Sequence, residues 1–485
     1  MMYRDLRGIK IYAPEEFFPS ERAVAQLERI SRDERVEKPV IGLVDIHDKK
    51  DNDFPTGVVV ASRKYIFPQL VVSGPNCGMR MMSLPLSAGD MKDGDVDRLF
   101  RGFSRDIHLN SFFGSALSEE DIMGIMRRGA GWIKYRFPDA EDEIGHIESG
   151  GNAFGSNLPD DRLIRRAIPK SIRELSKYRM GILGKGNHFL ELQEVEEVFD
   201  QQKAEHMGLR RGGLYLFMHS GSGGLGAMAG NIYTPRSISS RGKKMSAYVA
   251  AEWFRSMFDP VRRRYIKKVV DHIINGKKGL FGLEAGSEEA ELYLTAIRAS
   301  ANFAYANRAF ISRNIRRSAS ESLGIEPKEI KTLYDLSHMS IEKETYGDGA
   351  VWVHRTGGVR ALPPGLLPEG SVFKETGTPV FLPGSMGSAT YIGVATEKNK
   401  ETFYSVSHGT GRLPEDKIKA RAENREELVK YLKERSITLY KGEQKRIVKQ
   451  DPRCFKDVDK AAGYLEDSRF LKKVAKMRPI AVLKG

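Results

Sequence analysis

The sequence predicts a mixed α and β protein built as one large body or as two intimately packed lobes. Two observations carry this. Long stretches with helical periodicity alternate with short β-branched and aromatic runs that end in glycine-rich turns. Across 485 residues there is no long Pro/Gly/Ser linker, no low-complexity run and no internal repeat. Length alone would suggest about three units, but nothing in the composition separates them. Hydrophobic residues make up 40% of the chain, enough for a sizeable core.

Taken in order, "PTGVVVAS" (55–62) and "GLYLFMHS" (213–220) read as strands. The stretch 243–274 reads as helical and broken near Pro260, because proline removes a backbone donor and clashes with the preceding turn. A second helix is predicted over 288–317. "PVFLPG" (379–384) and "FYSVSHG" (403–409) read as strands, 415–435 as a helix, 456–476 as a weaker helix, and "PIAVLKG" (479–485) as a final strand. Strand order does not follow from these patterns.

Net charge is +14, with a pI of about 9.4. Such an excess favours a polyanionic partner, nucleic acid or nucleotide. The apolar runs are far shorter than a membrane span. The N-terminus carries acids and lacks the apolar core of a signal peptide. Two cysteines, Cys77 and Cys454, do not make a disulfide framework, and a reducing, cytoplasmic setting fits them.

Cys77 lies in "VVSGPNCGMR" (71–80), where glycines and a proline shape a turn around one thiol. Four of the ten histidines also stand in glycine-rich or strand-end settings: His188, His219, His338 and His408. A thiolate with several imidazoles suits zinc or another borderline divalent metal. No pair has a short ligand spacing, so each histidine also reads as a hydrogen-bonded strand-end residue, and Cys77 as a small buried hydrophobe. The loops 181–187, 220–226, 383–388 and 408–412 bring backbone N–H groups into tight turns that can cradle phosphate. None is a P-loop or a dinucleotide fingerprint, and tight-turn geometry alone explains any single one. In "SVSHGTGR" (405–412), His408 has the character of a nucleophile beside phosphate, with Arg412 near the developing charge.

These stretches together resemble the RtcB-type RNA ligases. The matching segments are "NCGMR" (76–80), "GNHFLELQ" (186–193), "HSGSGGLG" (219–226, with one departure), "ANFAYANR" (301–308), "DLSH" (335–338), "VHRTGGVRALPPG" (353–365), "PVFLPGSMGSATY" (379–391), "SVSHGTGR" (405–412) and "RPIAVLKG" (478–485). They follow the family's order, within 40–87 and 181–485, and 88–180 diverges. The resemblance implies one α+β domain over 1–485, a compact RtcB-like body with mixed sheets and flanking helices. It implies a GTP- and manganese-dependent ligase that joins RNA 2′,3′-cyclic phosphate or 3′-phosphate ends to 5′-hydroxyl ends, in RNA repair or tRNA splicing. His408 becomes the guanylylated nucleophile. Cys77 becomes the thiolate shared by two Mn2+ ions, His219 and His338 ligands of one, and His188 a ligand of the other. Asn187, Glu191, Pro383, Gly384, Ser385, Met386, Thr390, Gly409, Thr410, Gly411, Arg412 and Lys484 match guanine-nucleotide contacts. Phe455 stands where the family commonly has tyrosine, so stacking is kept and a hydroxyl lost. Some members need an activating archease partner.

Four departures fall on one metal and on the RNA-end site. Gly74 replaces a family aspartate that ligates the same ion as His188, Gly223 an arginine, Met339 an asparagine and Thr356 a lysine. The segment 45–57, "DIHDKKDNDFPTG", resembles a family motif with added charge. Asp48, Asp51 and Asp53 there are either a solvated cluster or the source of a replacement carboxylate. Two other functions stay open: a metal phosphoesterase that trims RNA ends without sealing them, and a catalytically weak RNA-binding paralogue.

Overall fold

A computed structural model describes all residues except 1–2, 7, 49–53, 72–73, 110–115, 139–143, 237–242, 276–278, 442–446 and 485. Its architecture is α+β, with two main sheets facing one another and helices outside them. The smaller sheet has the order Tyr3–Asp5, Ile9–Tyr12, Glu37–His47, Thr56–Ser62, Gly349–Thr356, Met339–Tyr346. The larger runs Lys331–Ser337, Gly78–Ser87, Gly213–Ser220, Phe189–Val198, Lys472–Lys484, Thr390–Val394, Pro379–Pro383, and Thr438–Lys441 joins Lys472–Lys484 in parallel.

The larger sheet is buried on both faces, and its strands sort their side chains by the two-residue period. In Gly213–Ser220, Tyr215 and Phe217 join the core shared with the smaller sheet. Leu214, Leu216 and Met218 join a second core beneath the helix Asp95–Asp106. His219 therefore points to the inter-sheet side, as do Phe189, Glu191 and Met79 by the same alternation and register. A third core surrounds the helix Glu288–Leu323, 36 residues and about 54 Å long. That helix is buried along most of its length, against Asp95–Asp106, Glu119–Arg128 and Leu225–Tyr233 among others, and it buries polar side chains such as Asn302, Asn307 and Arg308 among its apolar ones.

The helix break near Pro260 is present: one helix ends at Ser256 and the next starts at Pro260, capped by Asp259. The helix expected over 288–317 continues to Leu323 and stops at Gly324, whose φ is 68°. The helix expected over 415–435 is only Arg425–Lys433. Its N-cap is Asn424, and upstream the Ala422 N–H is taken by Asp451 at 2.6 Å, outside any helical ladder. The helix expected over 456–476 is Val458–Asp467. Arg469 takes a φ of 61°, and the chain then enters the strand Lys472–Lys484, which begins well before the expected 479. Pairing on both sides, to Phe189–Val198 and Thr390–Val394, overrides the local helical preference of those lysines. The strand expected over 403–409 is only Ser405–Ser407. Among the described residues no helix is long and apolar enough to cross a membrane.

Candidate active site

One end of the larger sheet collects the chemistry. Cys77 directly precedes the strand Gly78–Ser87, and His188 directly precedes Phe189–Val198. His219 is the penultimate residue of Gly213–Ser220, and His338 directly follows Lys331–Ser337. Antiparallel pairing brings these starts and ends together: Met79 and Phe189 both stand opposite His219, and Gly78 stands between Ser220 and Ser337. His338 is also the corner at which the chain leaves the larger sheet and enters the smaller one.

The four side chains meet. Cys77 Sγ lies 3.2 Å from His188 Nε2 and 3.2 Å from His219 Nε2. His219 Nε2 lies 3.0 Å from His338 Nε2. Burial and the nearby Lys484 ammonium push His188 down to about 4, and burial with neighbouring His188 holds His219 well below its ordinary range. Both imidazoles are thus neutral at pH 7, the form that ligates a cation. The Cys77 sulfur and the His188 and His219 nitrogens lie within 4.8 Å of one another, a spacing that fits a divalent transition-metal ion, and His338 adjoins them through His219. Among the described residues lining the cleft, Glu191 is the only carboxylate, and Gly74, which also lines it, has no side-chain oxygen.

The cleft has a volume of about 540 Å³. It is lined by these four residues, by Asn187 and Glu191, by Pro383–Met386, by His408–Arg412, and by Phe455 and Lys484. Thr390 does not line it. It sits one layer behind, where Gln193 Nε2 donates to Thr390 Oγ1 at 3.0 Å and to Glu191 Oε2 at 2.7 Å. Burial pushes Glu191 up to about 7 and Lys484 down to about 8, each opposed by the charge of the other. Phe455 forms a wall, with Arg412 5.9 Å from its ring centre. The Arg412 guanidinium is held by the Lys449 carbonyl and by Glu415 at 3.6 Å.

His408 is joined to the cluster by its ring. It stacks on His338 with centroids 4.1 Å apart and planes 18° from parallel. Its Nδ1 lies 2.5 Å from the Gly357 carbonyl and 2.8 Å from Asp45 Oδ2. A proton on Nδ1 donates to the Gly357 carbonyl, with the Asp45 carboxylate beside it as a negative charge, and leaves Nε2 with its lone pair free. Asp45 is fully buried. The buried Lys456 ammonium donates to the carbonyls on either side of it, Val44 at 2.8 Å and Ile46 at 2.9 Å, and burial lowers Lys456 to about 8 against the pull of Asp45. Gly411, at φ 76°, permits this packing, since a Cβ there would lie 2.4 Å from the Asp45 carbonyl oxygen.

Asp45 is the functional residue that sequence reasoning passed over, although it heads the charged segment 45–57. The available signal was a carboxylate near a strand end, two residues from His47, which lines the cleft. Asp48 is no replacement ligand: it accepts from Ser20 Oγ at 2.8 Å and faces Arg22 at the start of the helix Glu21–Ser31. Asp51 and Asp53 lie outside the described residues. Of the departures, Gly74, Met339 and Thr356 line the cleft, and the Thr356 hydroxyl is turned to the Leu70 carbonyl. Gly223 accepts from Arg179 Nε at 2.8 Å and Nη2 at 2.6 Å, so a guanidinium approaches this loop from another segment.

Comparison with known proteins agrees with this geometry. The family model described as tRNA-splicing ligase RtcB matches residues 26–485. Curated relatives carrying the same name include those of Pyrococcus abyssi and Thermococcus kodakarensis, each 30% identical across 89% of this chain. Another, from Nanoarchaeum equitans, is 28% identical across 98%. The chain spans 44% of the P. abyssi protein's length, 85% of the T. kodakarensis protein's and 95% of the N. equitans protein's. The match covers the larger sheet, the smaller sheet from Glu37–His47 onward and every residue of the cleft, and the chain belongs to the RtcB family.

Proposed function

We propose that the chain is a GTP-dependent RNA ligase that uses manganese and a guanylylated histidine. The observation that carries this reading is the placement of His408. Its Nδ1 is occupied by Asp45 and Gly357, and its ring lies against the Cys/His cluster in a cleft large enough for a nucleotide. In this scheme His408 Nε2 attacks the α-phosphorus of GTP. An N–P bond forms, the bond to the β-phosphate oxygen breaks, and pyrophosphate leaves with the electron pair. An oxygen of the RNA 3′-phosphate then takes the GMP and frees the histidine. Finally the 5′-hydroxyl oxygen attacks the activated 3′-phosphorus, GMP leaves, and a 3′,5′-phosphodiester remains. A 2′,3′-cyclic end is first opened by water.

Cys77, His219 and His338 would hold one ion, and Cys77 with His188 a second. Such ions neutralise phosphate charge and stabilise attacking and leaving oxygens. The chain's own groups bind and orient the nucleotide: Glu191 and Lys484 from the sheet floor, Phe455 for ring stacking, and the turns 383–386 and 409–411 for phosphate. RNA, a cytoplasmic setting and an archease partner for some members complete the reading.

The test is covalent labelling. Incubation with α-labelled GTP and manganese, then denaturation, should leave an acid-labile, alkali-stable adduct on wild type and none on His408→Ala. Equal labelling of both proteins would reject the assignment. Gly74 and Gly223 favour a second reading, an RNA-end phosphoesterase on the same cluster, because they weaken one ion and the RNA end rather than the nucleophile. Opening of cyclic phosphate without any adduct on wild type would support that reading instead.

A further inference from the structure

The stretch "ANFAYANR" carries family resemblance, yet none of its side chains lines the cleft. Its last two residues sit fully buried on the helix Glu288–Leu323, behind the Cys/His cluster. Asn307 Oδ1 accepts the Gly181 N–H at 2.8 Å. Its Nδ2 donates to the Ile182 carbonyl at 2.9 Å and to the Gly221 carbonyl at 2.8 Å. Arg308 Nη1 donates to the Asn76 carbonyl at 2.9 Å and to the Ser220 carbonyl at 3.2 Å, and Nη2 to Asn76 Oδ1 at 2.9 Å. Arg308 also binds Asp335, at 2.8 Å from Nε and 2.7 Å from Nη2.

Each partner lies in a segment that carries one of the four residues. Asn76 directly precedes Cys77, and Ser220 and Gly221 directly follow His219. Asp335 lies on the strand that delivers His338. Gly181 and Ile182 open the loop that delivers His188, whose Nδ1 lies 2.1 Å from where a Gly184 Cβ would stand. Asn76 is a non-glycine residue at φ 54°, a conformation that local preference disfavours and Arg308 holds from both its carbonyl and its side chain. A Cβ on Gly78 would lie 2.3 Å from the Leu336 carbonyl oxygen and 3.0 Å from the Arg308 guanidinium carbon.

We propose that Asn307 and Arg308 are positioning residues for the metal cluster: two adjacent side chains on one helix set the spacing of all four ligand-bearing segments before any ion arrives. This rests on the reading of Cys77, His188, His219 and His338 as metal ligands. A fork from one rigid helix is suited to the task, because the ligands come from four separate segments and no short sequence spacing sets their distances.

The experiment is titration of the metal-free full chain with cobalt(II), followed by the thiolate-to-metal charge-transfer band, with thermal unfolding of the same metal-free samples. The variants are Asn307→Ala, Arg308→Lys and Asn302→Ala. Arg308→Lys keeps a cation beside Asp335 and loses the fork to Asn76. Asn302 is the control: it is equally buried on the same helix and binds Met126, Asn152 and Ala153, none of them in a ligand-bearing segment. Asn307→Ala and Arg308→Lys should each weaken cobalt binding about 10- to 100-fold and alter the band, the effect usual for groups that orient metal ligands. Asn302→Ala should lower the unfolding temperature comparably while its cobalt affinity stays within about twofold of wild type, well short of that effect. The clamp is rejected if Asn302→Ala weakens cobalt as much as Asn307→Ala, or if folded Arg308→Lys binds like wild type. Absence of the band in wild type would reject the metal reading itself, a result distinct from either.

Discussion

Asp45 Oδ2 lies 2.8 Å from His408 Nδ1 although 363 positions in sequence separate the two residues. The contact joins the smaller sheet, which carries Asp45 near the end of Glu37–His47, to the turn after Ser405–Ser407. Its charge adds to the Gly357 carbonyl, which accepts from Nδ1, in favouring the proton on that nitrogen and the lone pair on Nε2.

Asp45→Asn keeps the shape and removes the charge, and an amide N–H turned to Nδ1 would shift the proton to Nε2. The Gly357 carbonyl still accepts from Nδ1, which limits the loss. Single-turnover formation of the GMP adduct should slow about 10²-fold, at the low end for a misplaced catalytic proton. A wild-type rate would remove Asp45 from any orienting role.

Gly74→Asp should restore a carboxylate to the ion held by His188. The nearest described atom to a Cβ there, beyond the adjacent residues, is Cys77 Cβ at 3.6 Å, an ordinary contact. The expected result is about tenfold tighter binding of the second manganese, since ligand charge governs affinity for a hard cation. Gly74→Asn, similar in size and uncharged, should bind like wild type. Manganese titration of adduct formation for the three proteins reads this directly. Equal curves would mean that another group already fills the position.

Gly223 sits at φ 60°, and a Cβ there would lie 3.0 Å from the Arg179 carbonyl oxygen. Gly223→Ala and Gly223→Arg should therefore lose the same stability, about 1–2 kcal/mol, on denaturant unfolding. Only the arginine variant should tighten binding of RNA bearing a 3′-phosphate. If alanine does as well, the added guanidinium is irrelevant to the RNA end.

The excess of positive charge should make RNA binding fall log-linearly with salt, as condensed cations are displaced from the phosphates. Fluorescence anisotropy of a labelled single strand, at several salt concentrations, gives the slope. A flat profile would assign the basic residues to solubility alone.

Several features were legible in the sequence because they depend on local chemistry. The break at Pro260 follows from proline's missing donor, and the strand Gly213–Ser220 from its β-forming side chains. Cys77, His188, His219, His338 and His408 stood out as reactive side chains in glycine-rich or strand-end settings, and the cleft brings all five together. The ordered motifs pointed to the family that the comparison shows. What needed the tertiary structure was every relation between distant segments. Lys472 to Lys476 carry helical preference but enter a central strand, because the ladder to Thr390–Val394 from Lys472, joined by that to Phe189–Val198 from Ala475, outweighs propensity. Asp45 looked no different from Asp48 as a string of letters. Burial and a turn 363 residues away made one a partner of His408, while Ser20 and Arg22 drew the other to a helix start. Asn307 and Arg308 read as part of a helix, and only the packing of four segments against that helix gives them a role. Local preference is written residue by residue, whereas the spacing of ligands from four segments is set by the sheet register and by the buried side chains that hold it.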